Sequence, residues 1–268
     1  MKLLWLVLLL GCSADHYAGK GQTALDQHQL AEAEGQFRKA LSRDPDHMDA
    51  LSGLGWTYLL AGQTEAAKGS FERCAMVSDR NPDCFRGLAG VSSALGNPRE
   101  ARRLLNEGLL IDEYHPGIQS SLALLDLVSG ETDAAARRYE ALIQRFPDKA
   151  EYQLGFAEVR IRQDKHMDAL DVIEQALTLS DTPARTRAIL FQTQARALVS
   201  VTADRVSEER CAETAPQVRI WLDVAKKSVE QARETGVSLP DIHVVRRLIK
   251  RQRARVDEKC PKQEKSSE

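Results

Sequence analysis

No stretch of this 268-residue chain is apolar enough to cross a bilayer, where about 20 residues are needed; the apolar run Leu3–Leu10 has eight. An excess of one charge sign is also lacking. Lys plus Arg number 37 against 39 for Asp plus Glu, a formal net charge of −2, and this speaks against nucleic acid as a partner. Metal-ligand spacing is missing too. His16, His28, His47, His115, His166 and His243 are scattered over helix ends and turns, none has a His or Cys at ligand distance in sequence, and there is no HExxH and no CxxC. No strand pattern is evident, so no Gly-rich phosphate loop follows one, and Ser, Cys and His form no nucleophile motif. Paired carboxylates such as Asp44 and Asp46 read as turn residues. These absences predict a non-catalytic protein with no metal and no cofactor. A catalytic group assembled only in space is the alternative of a different class.

What is present is a period. Alanine stands at Ala33, Ala67, Ala101, Ala135 and Ala169, spaced by 34 residues without insertion or deletion. Twelve residues before each is a small residue: Gly21, Gly55, Ala89, Ala123, Ala157. Four after each is a large one: Phe37, Phe71, Leu105, Tyr139, Ile173. Three further on come Ala40, Cys74, Gly108, Leu142 and Ala176, mostly small again. A small residue lets a neighbouring helix approach, and the large one, a turn further along the same face, fills the gap. Gly62, Gly96 and Gly130 mark the end of a first helix, where a left-handed residue is needed. Pro45 and Pro147 close second helices, and Pro82 and Pro116 open first helices. The pattern predicts helix–turn–helix units at 14–47, 48–81, 82–115, 116–149 and 150–183. An unrelated antiparallel helical bundle is the bland alternative.

In these residues the chain resembles the tetratricopeptide (TPR) family. The second unit carries Leu54, Gly55, Tyr58, Gly62, Ala67 and Phe71; the first carries Gly21, Ala33, Phe37, Ala40 and Pro45. The resemblance implies an all-α TPR-type solenoid whose first helices line a concave groove for other proteins. At the family's groove positions stand Ser52, Trp56, Leu59 and Leu60 in unit two, and Arg86 and Ser93 in unit three. Unit four supplies Ser120, Leu124, Leu127 and Val128, and unit five Glu158, Ile161 and Arg162. The middle of this surface is apolar, with Trp56 as a candidate anchor; the opposing expectation is that Trp56 and Leu124 pack beneath neighbouring helices. The Lys/Asn set with which chaperone-binding members clamp a peptide carboxylate is not seen.

At the other end of the inference, Leu9-Leu10-Gly11-Cys12 resembles the lipobox of bacterial lipoproteins, after a positive start and an apolar run. That resemblance implies removal of residues 1–11, acylation of Cys12 (palmitate-type chains) and a lipid tether. Ser13 at the next position implies sorting to the outer membrane, facing the periplasm. Lipoproteins similar to this one include pilotins that guide secretin assembly for type IV pili, and adaptors for peptidoglycan and envelope enzymes. The expected partners are therefore envelope assembly components, reached from a membrane anchor.

With Cys12 set aside, Cys74, Cys84, Cys211 and Cys260 remain, an even count that suggests disulfides in an exported chain. Three connectivities are open; sequence proximity favours Cys74–Cys84 and Cys211–Cys260, and free thiols are the alternative. Beyond 183 the period breaks. A helix is expected over Ala184–Val201, a polar stretch over Thr202–Ala215, a helix opened by Pro216 and ended by Gly236, and a last helix over Pro240–Asp257 with Ile242, Val245, Leu248 and Ile249 inward. Residues 184–258 thus read as a divergent helical pair and a cap, with 259–268 a disordered tail. The last helix is basic, with Arg246, Arg247, Lys250, Arg251, Arg253 and Arg255; a solvated face and an attraction to anionic headgroups are the two readings.

Overall fold

The computed structural model describes residues 2–203, 211–239 and 241–261, with side chains described from Ser13 onward except at 211 and 212. All its regular structure among these residues is helical. The chain resolves into two compact units, Met1–Gly130 and Glu131–Glu268.

The first unit contains α1 (Lys2–Asp26), α2 (Leu30–Arg43), α3 (Met48–Leu60), α4 (Thr64–Val77), α5 (Pro82–Ala94), α6 (Pro98–Ile111) and α7 (Pro116–Val128). The starts of α3, α5 and α7 fall 34 residues apart, as do those of α2, α4 and α6. Ala33, Ala67 and Ala101 are fully buried, and Phe37, Phe71 and Leu105 are buried one turn later. The aromatic wedges are seated on bare backbone. A Cβ added at Gly21 or Gly53 would fall within 2.7 Å or 2.2 Å of the Phe37 ring. At Gly55 and Gly87 it would fall within 2.7 Å and 2.1 Å of the Phe71 ring. Each ring therefore fills a slot between the first helix of its own repeat and the first helix of the next.

Each first helix ends in the same way. Gly62 and Gly96 have φ of +75° and +76°, and the amides of Gln63 and Asn97 reach back to the carbonyls of Tyr58 and Ser92. That six-to-one bond with a left-handed residue is a Schellman ending. In the first repeat the left-handed position is held by His28, at φ +59°. The starts are capped by side chains at the repeat spacing. His47 and His115 accept through Nδ1 from the amides of Ala50 and Ile118, and Asn81 accepts from that of Asp83. Cys74, in the last turn of α4, forms a disulfide with Cys84 in the first turn of α5, which staples the second repeat to the third. One buried ion pair ties α6 to α7: Arg102 Nη1 lies 2.6 Å from Asp126 Oδ1, and the Asp126 side chain is 1% exposed.

The second unit contains α8 (Thr132–Arg145), α9 (Ala150–Arg162), α10 (His166–Thr178), α11 (Ala184–Ala203), α12 (Cys211–Glu234) and α13 (Ile242–Lys259). The wedge recurs, with Tyr139 on Gly155, where a Cβ would lie 2.3 Å from the ring. Ala157, Ala169 and Ile173 share one buried cluster. Asp164, at φ +58°, takes the left-handed position at the end of α9. The last three helices enclose a core of Leu198, Val218, Leu222, Val229, Val245 and Ile249. Buried Gln252 donates to the carbonyl of Thr202 and so links α13 to α11.

Four expectations for this region are corrected. Thr202 is not in a polar loop but in α11, fully buried, because its hydroxyl is spent on the Val199 carbonyl. Pro216 does not open α12; the helix begins at Cys211 and the proline lies inside it, where its missing N–H forfeits a single bond. Leu248 is not inward but 41% exposed, because the inward face of α13 is set by Val245, Ile249, Gln252 and Val256. The tail does not start at 259: Lys259 closes α13, and Cys260 is buried, disulfide-bonded and contacted at its carbonyl by Arg219. The Cys211 side chain, with which a bond to Cys260 was expected, lies outside the described residues, as do the Cys12 side chain and residues 262–268.

Candidate protein-docking cleft

The first helices of the first three repeats bound an open cleft of about 640 Å³ in the first unit. Its wall is acidic at a fixed interval. Asp15, Asp49 and Asp83 are 34 residues apart, one on each of α1, α3 and α5, and all three line the cleft. Asp26 adds a fourth carboxylate, against Arg86 as the one Lys or Arg of the lining. Asp49 and Asp83 stand in the first turns of their helices, where the helix dipole favours a negative charge. Asp15 Oδ1 meets His47 Nε2 at 2.9 Å, and His47 uses its other ring nitrogen as the α3 cap. That division of labour fits a neutral ring with the proton on Nε2, donating to Asp15.

Trp56 contributes to the apolar part of the wall, with Leu25, Phe37 and Leu60. Trp56 is half-buried, neither fully exposed nor core. Its ring packs edge-on against Phe71 at 5.3 Å, and the Arg86 guanidinium lies over it 4.4 Å from the ring centre. Gly90 permits this: a Cβ there would meet the indole at 3.3 Å and Leu59 at 3.0 Å. The indole Nε1 is shielded and has no hydrogen-bond partner among the described residues. Arg86 is itself oriented by Asp83, whose Oδ1 accepts from Nε at 2.8 Å. The stacked pair is thus held from both sides, a cation–π contact worth about 0.5–2 kcal/mol.

Of the residues expected in the groove, Ser52, Trp56, Leu60 and Arg86 line this cleft. Leu59 is half-buried beside them, and Ser93 is exposed but does not line it. Leu124 and Val128 on α7 are 55% and 69% exposed, at the repeat positions of Trp56 and Leu60. Leu127 corrects its expectation: it is buried, because each residue step turns a helical side chain by about 100° and carries it off the Leu124–Val128 face. Glu158 on α9 is not a free groove charge, since Arg196 and Thr193 of α11 both bind its carboxylate. The aspartate ladder was not anticipated, although its signal, three acids at the repeat period, is plain in the sequence. Among the described residues no three His, Cys, Asp or Glu side chains converge as a metal site, and no helix is long and apolar enough to cross a membrane.

The tetratricopeptide-repeat family pattern matches residues 19–75 and 121–183. Among curated relatives, cellulose synthase 1 operon protein C of Komagataeibacter xylinus is 24% identical over 168 residues, 58% of this chain and 13% of that protein. Interferon-induced protein with tetratricopeptide repeats 3 of Mus musculus is 24% identical over 199 residues, 70% of this chain and 48% of that protein. The chain thus spans less than half the length of these relatives. Among solved structures, a tetratricopeptide repeat protein from Parabacteroides merdae superposes with a TM-score of 0.64 at 18% identity, over 88% of this chain and 84% of that one. PilW, described as a widely conserved type IV pilus biogenesis factor, gives 0.59 at 11% identity over 87% and 97%. PilF of Pseudomonas aeruginosa gives 0.53 at 16% over 88% and 97%. With the 34-residue helix spacing, the wedged aromatics and the Schellman endings, these matches make residues 19–75 and 121–183 tetratricopeptide repeats and the chain a TPR-type α-solenoid.

Proposed function

We propose that this chain is a non-catalytic scaffold whose first-unit cleft docks an extended segment of a partner protein, a segment that combines basic and apolar side chains. The observation that carries this is the ladder of Asp15, Asp49 and Asp83 beside the Trp56–Arg86 stack. Carboxylates at equal intervals meet basic side chains along an extended peptide. Trp56 offers an apolar face, and Leu60 extends it. Opposite charge raises the rate of encounter and excludes acidic competitors.

The same reading places the protein at the bacterial outer membrane, tethered through acylated Cys12 and facing the periplasm, where its partners are envelope assembly components. The lipobox-like Leu9–Cys12 motif supports the tether. The Cys74–Cys84 bond supports an oxidising compartment. The fold shared with PilW and PilF is compatible with a part in assembling a pilus secretin.

The test is site-directed photocrosslinking in intact envelopes from Ser52 and Leu60, followed by mass spectrometry. A discrete partner captured from both positions, and lost in the D15N/D49N/D83N variant, is expected. Trp56→Ala should weaken capture by about 2 kcal/mol, as truncation of an aromatic anchor does, with helicity by circular dichroism retained. Capture that is indifferent to both variants would remove the cleft from the function.

A further inference from the structure

A second cleft, of about 640 Å³, lies in the second unit between α12 and α13, and its charge is opposite to that of the first. Six cations line it: Lys226 and Arg233 from α12, and Arg246, Arg247, Lys250 and Arg253 from α13. One carboxylate, Glu230, faces them, and its contact with Lys226 is long, at 3.9 Å. Among the described residues no carboxylate lies within ion-pair distance of Arg246, Arg247 or Lys250, which are exposed. Arg253 is different. Its Nη2 is anchored by Asp223, while its Nε is shielded and has no hydrogen-bond partner among the described residues. The floor is apolar, from Val229 and Ile249.

This arrangement is more than a solvated helix face. A solvated face spreads its charge outward, whereas here cations from two helices converge on one concavity. Low-dielectric walls focus such a field and concentrate counter-ions in the cleft. Four of the six cations are arginines, whose planar forks match the oxygens of phosphate in paired hydrogen bonds. One of them, Arg253, is already immobilised by Asp223. The volume falls in the range of small-ligand sites.

We propose that the α12–α13 cleft is a binding site for an anion carrying two or more phosphate groups, presented either free in solution or as a lipid headgroup. A single phosphate would leave most of the six cations unneutralised; a polyphosphate-type anion bridges the two helices.

The experiment uses the full chain. Tripolyphosphate binding is measured by titration calorimetry, and vesicle binding by cosedimentation with phosphatidylcholine vesicles with and without cardiolipin, whose headgroup bears two phosphates. Tripolyphosphate binding is expected, weakened by about tenfold or more in R246A/K250A, since each lost charge-assisted hydrogen bond amounts to about that factor. Both residues are exposed, so the variant should keep its melting curve. A control variant, R251A/R255A, removes equal charge from exposed positions of α13 outside the cleft and should retain tripolyphosphate affinity. If cardiolipin vesicles also bind and tripolyphosphate displaces the protein from them, the source is a lipid headgroup; if only tripolyphosphate binds, it is a free anion. Failure of both ligands to bind, an R246A/K250A variant that binds as tightly as the parent, or equal losses in the two double variants would each overturn the site.

Discussion

Gly87 shows what a single atom does in this fold. Its missing Cβ is the space that Phe71 occupies, at 2.1 Å from where that carbon would be. The ring is fully buried and cannot retreat. Gly87→Ala should therefore destabilise the protein by about 1–3 kcal/mol in urea unfolding, despite the better helix propensity of alanine. Pairing it with Phe71→Leu should recover part of that loss, so the two substitutions would be non-additive. Gly53 and Gly155 carry the same duty toward Phe37 and Tyr139. The sequence made Gly21 and Gly55 legible because they precede the periodic alanines at a fixed offset. Gly53, Gly87 and Gly155 were not legible, because the fourth member of that column is Ser121 and the contact they serve belongs to the preceding repeat. Arg102 and Asp126 escaped notice for a related reason. They are 24 residues apart, which is no repeat interval, and only the packing of α6 on α7 brings them to 2.6 Å. Arg102→Ala would leave the Asp126 carboxylate buried without its cation and should cost about 3 kcal/mol or more, measured by thermal melting.

At the scale of elements, the helix ends marked by Gly62, Gly96, Gly130, Pro45 and Pro147 and the helix starts at Pro82 and Pro116 were legible, because terminal glycines and prolines recur with the repeat. Where the repeat ends, prediction loses its ruler. A proline read as a helix opener lies inside α12, and a polar stretch read as loop is partly α11, since Thr202 satisfies its hydroxyl on its own helix. Local polarity was outweighed by tertiary burial. Among connections between elements, the Cys74–Cys84 bond joins α4 to α5 across a repeat boundary, with a sequence separation of 10. Closing so short a loop restricts the unfolded chain by about 3 kcal/mol. Reduction, or the C74A/C84A variant, should lower stability by about 2–3 kcal/mol. The second-unit wedge of Tyr139 on Gly155 should be unaffected, which hydrogen exchange resolved by segment would check. Loss of protection centred on α8 and α9 instead would contradict this local account.

For the molecule as a whole, the two clefts divide the charge that the composition hides. A net charge of −2 suggests an electrically neutral surface, yet the first cleft gathers aspartates and the second gathers arginines and lysines. Composition averages over both, so neither cleft could be read from it; only the repeat position of the acids and the pairing of α12 with α13 separate them. The proposed tether would add a constraint of a different kind. Cys12 follows an apolar run and a small residue, the arrangement a lipoprotein signal requires, and two or more acyl chains hold a protein at a membrane where one does so only marginally. If the anchor is real, Cys12→Ala should release the protein from the membrane fraction or leave it uncleaved, with its melting curve unchanged, because acylation supplies location and not packing. Mass spectrometry of the purified parent should find acyl chains on Cys12 as the first residue. A parent of unmodified mass in the soluble fraction would defeat the proposed tether while leaving the docking cleft intact, since every residue of that cleft lies beyond Cys12.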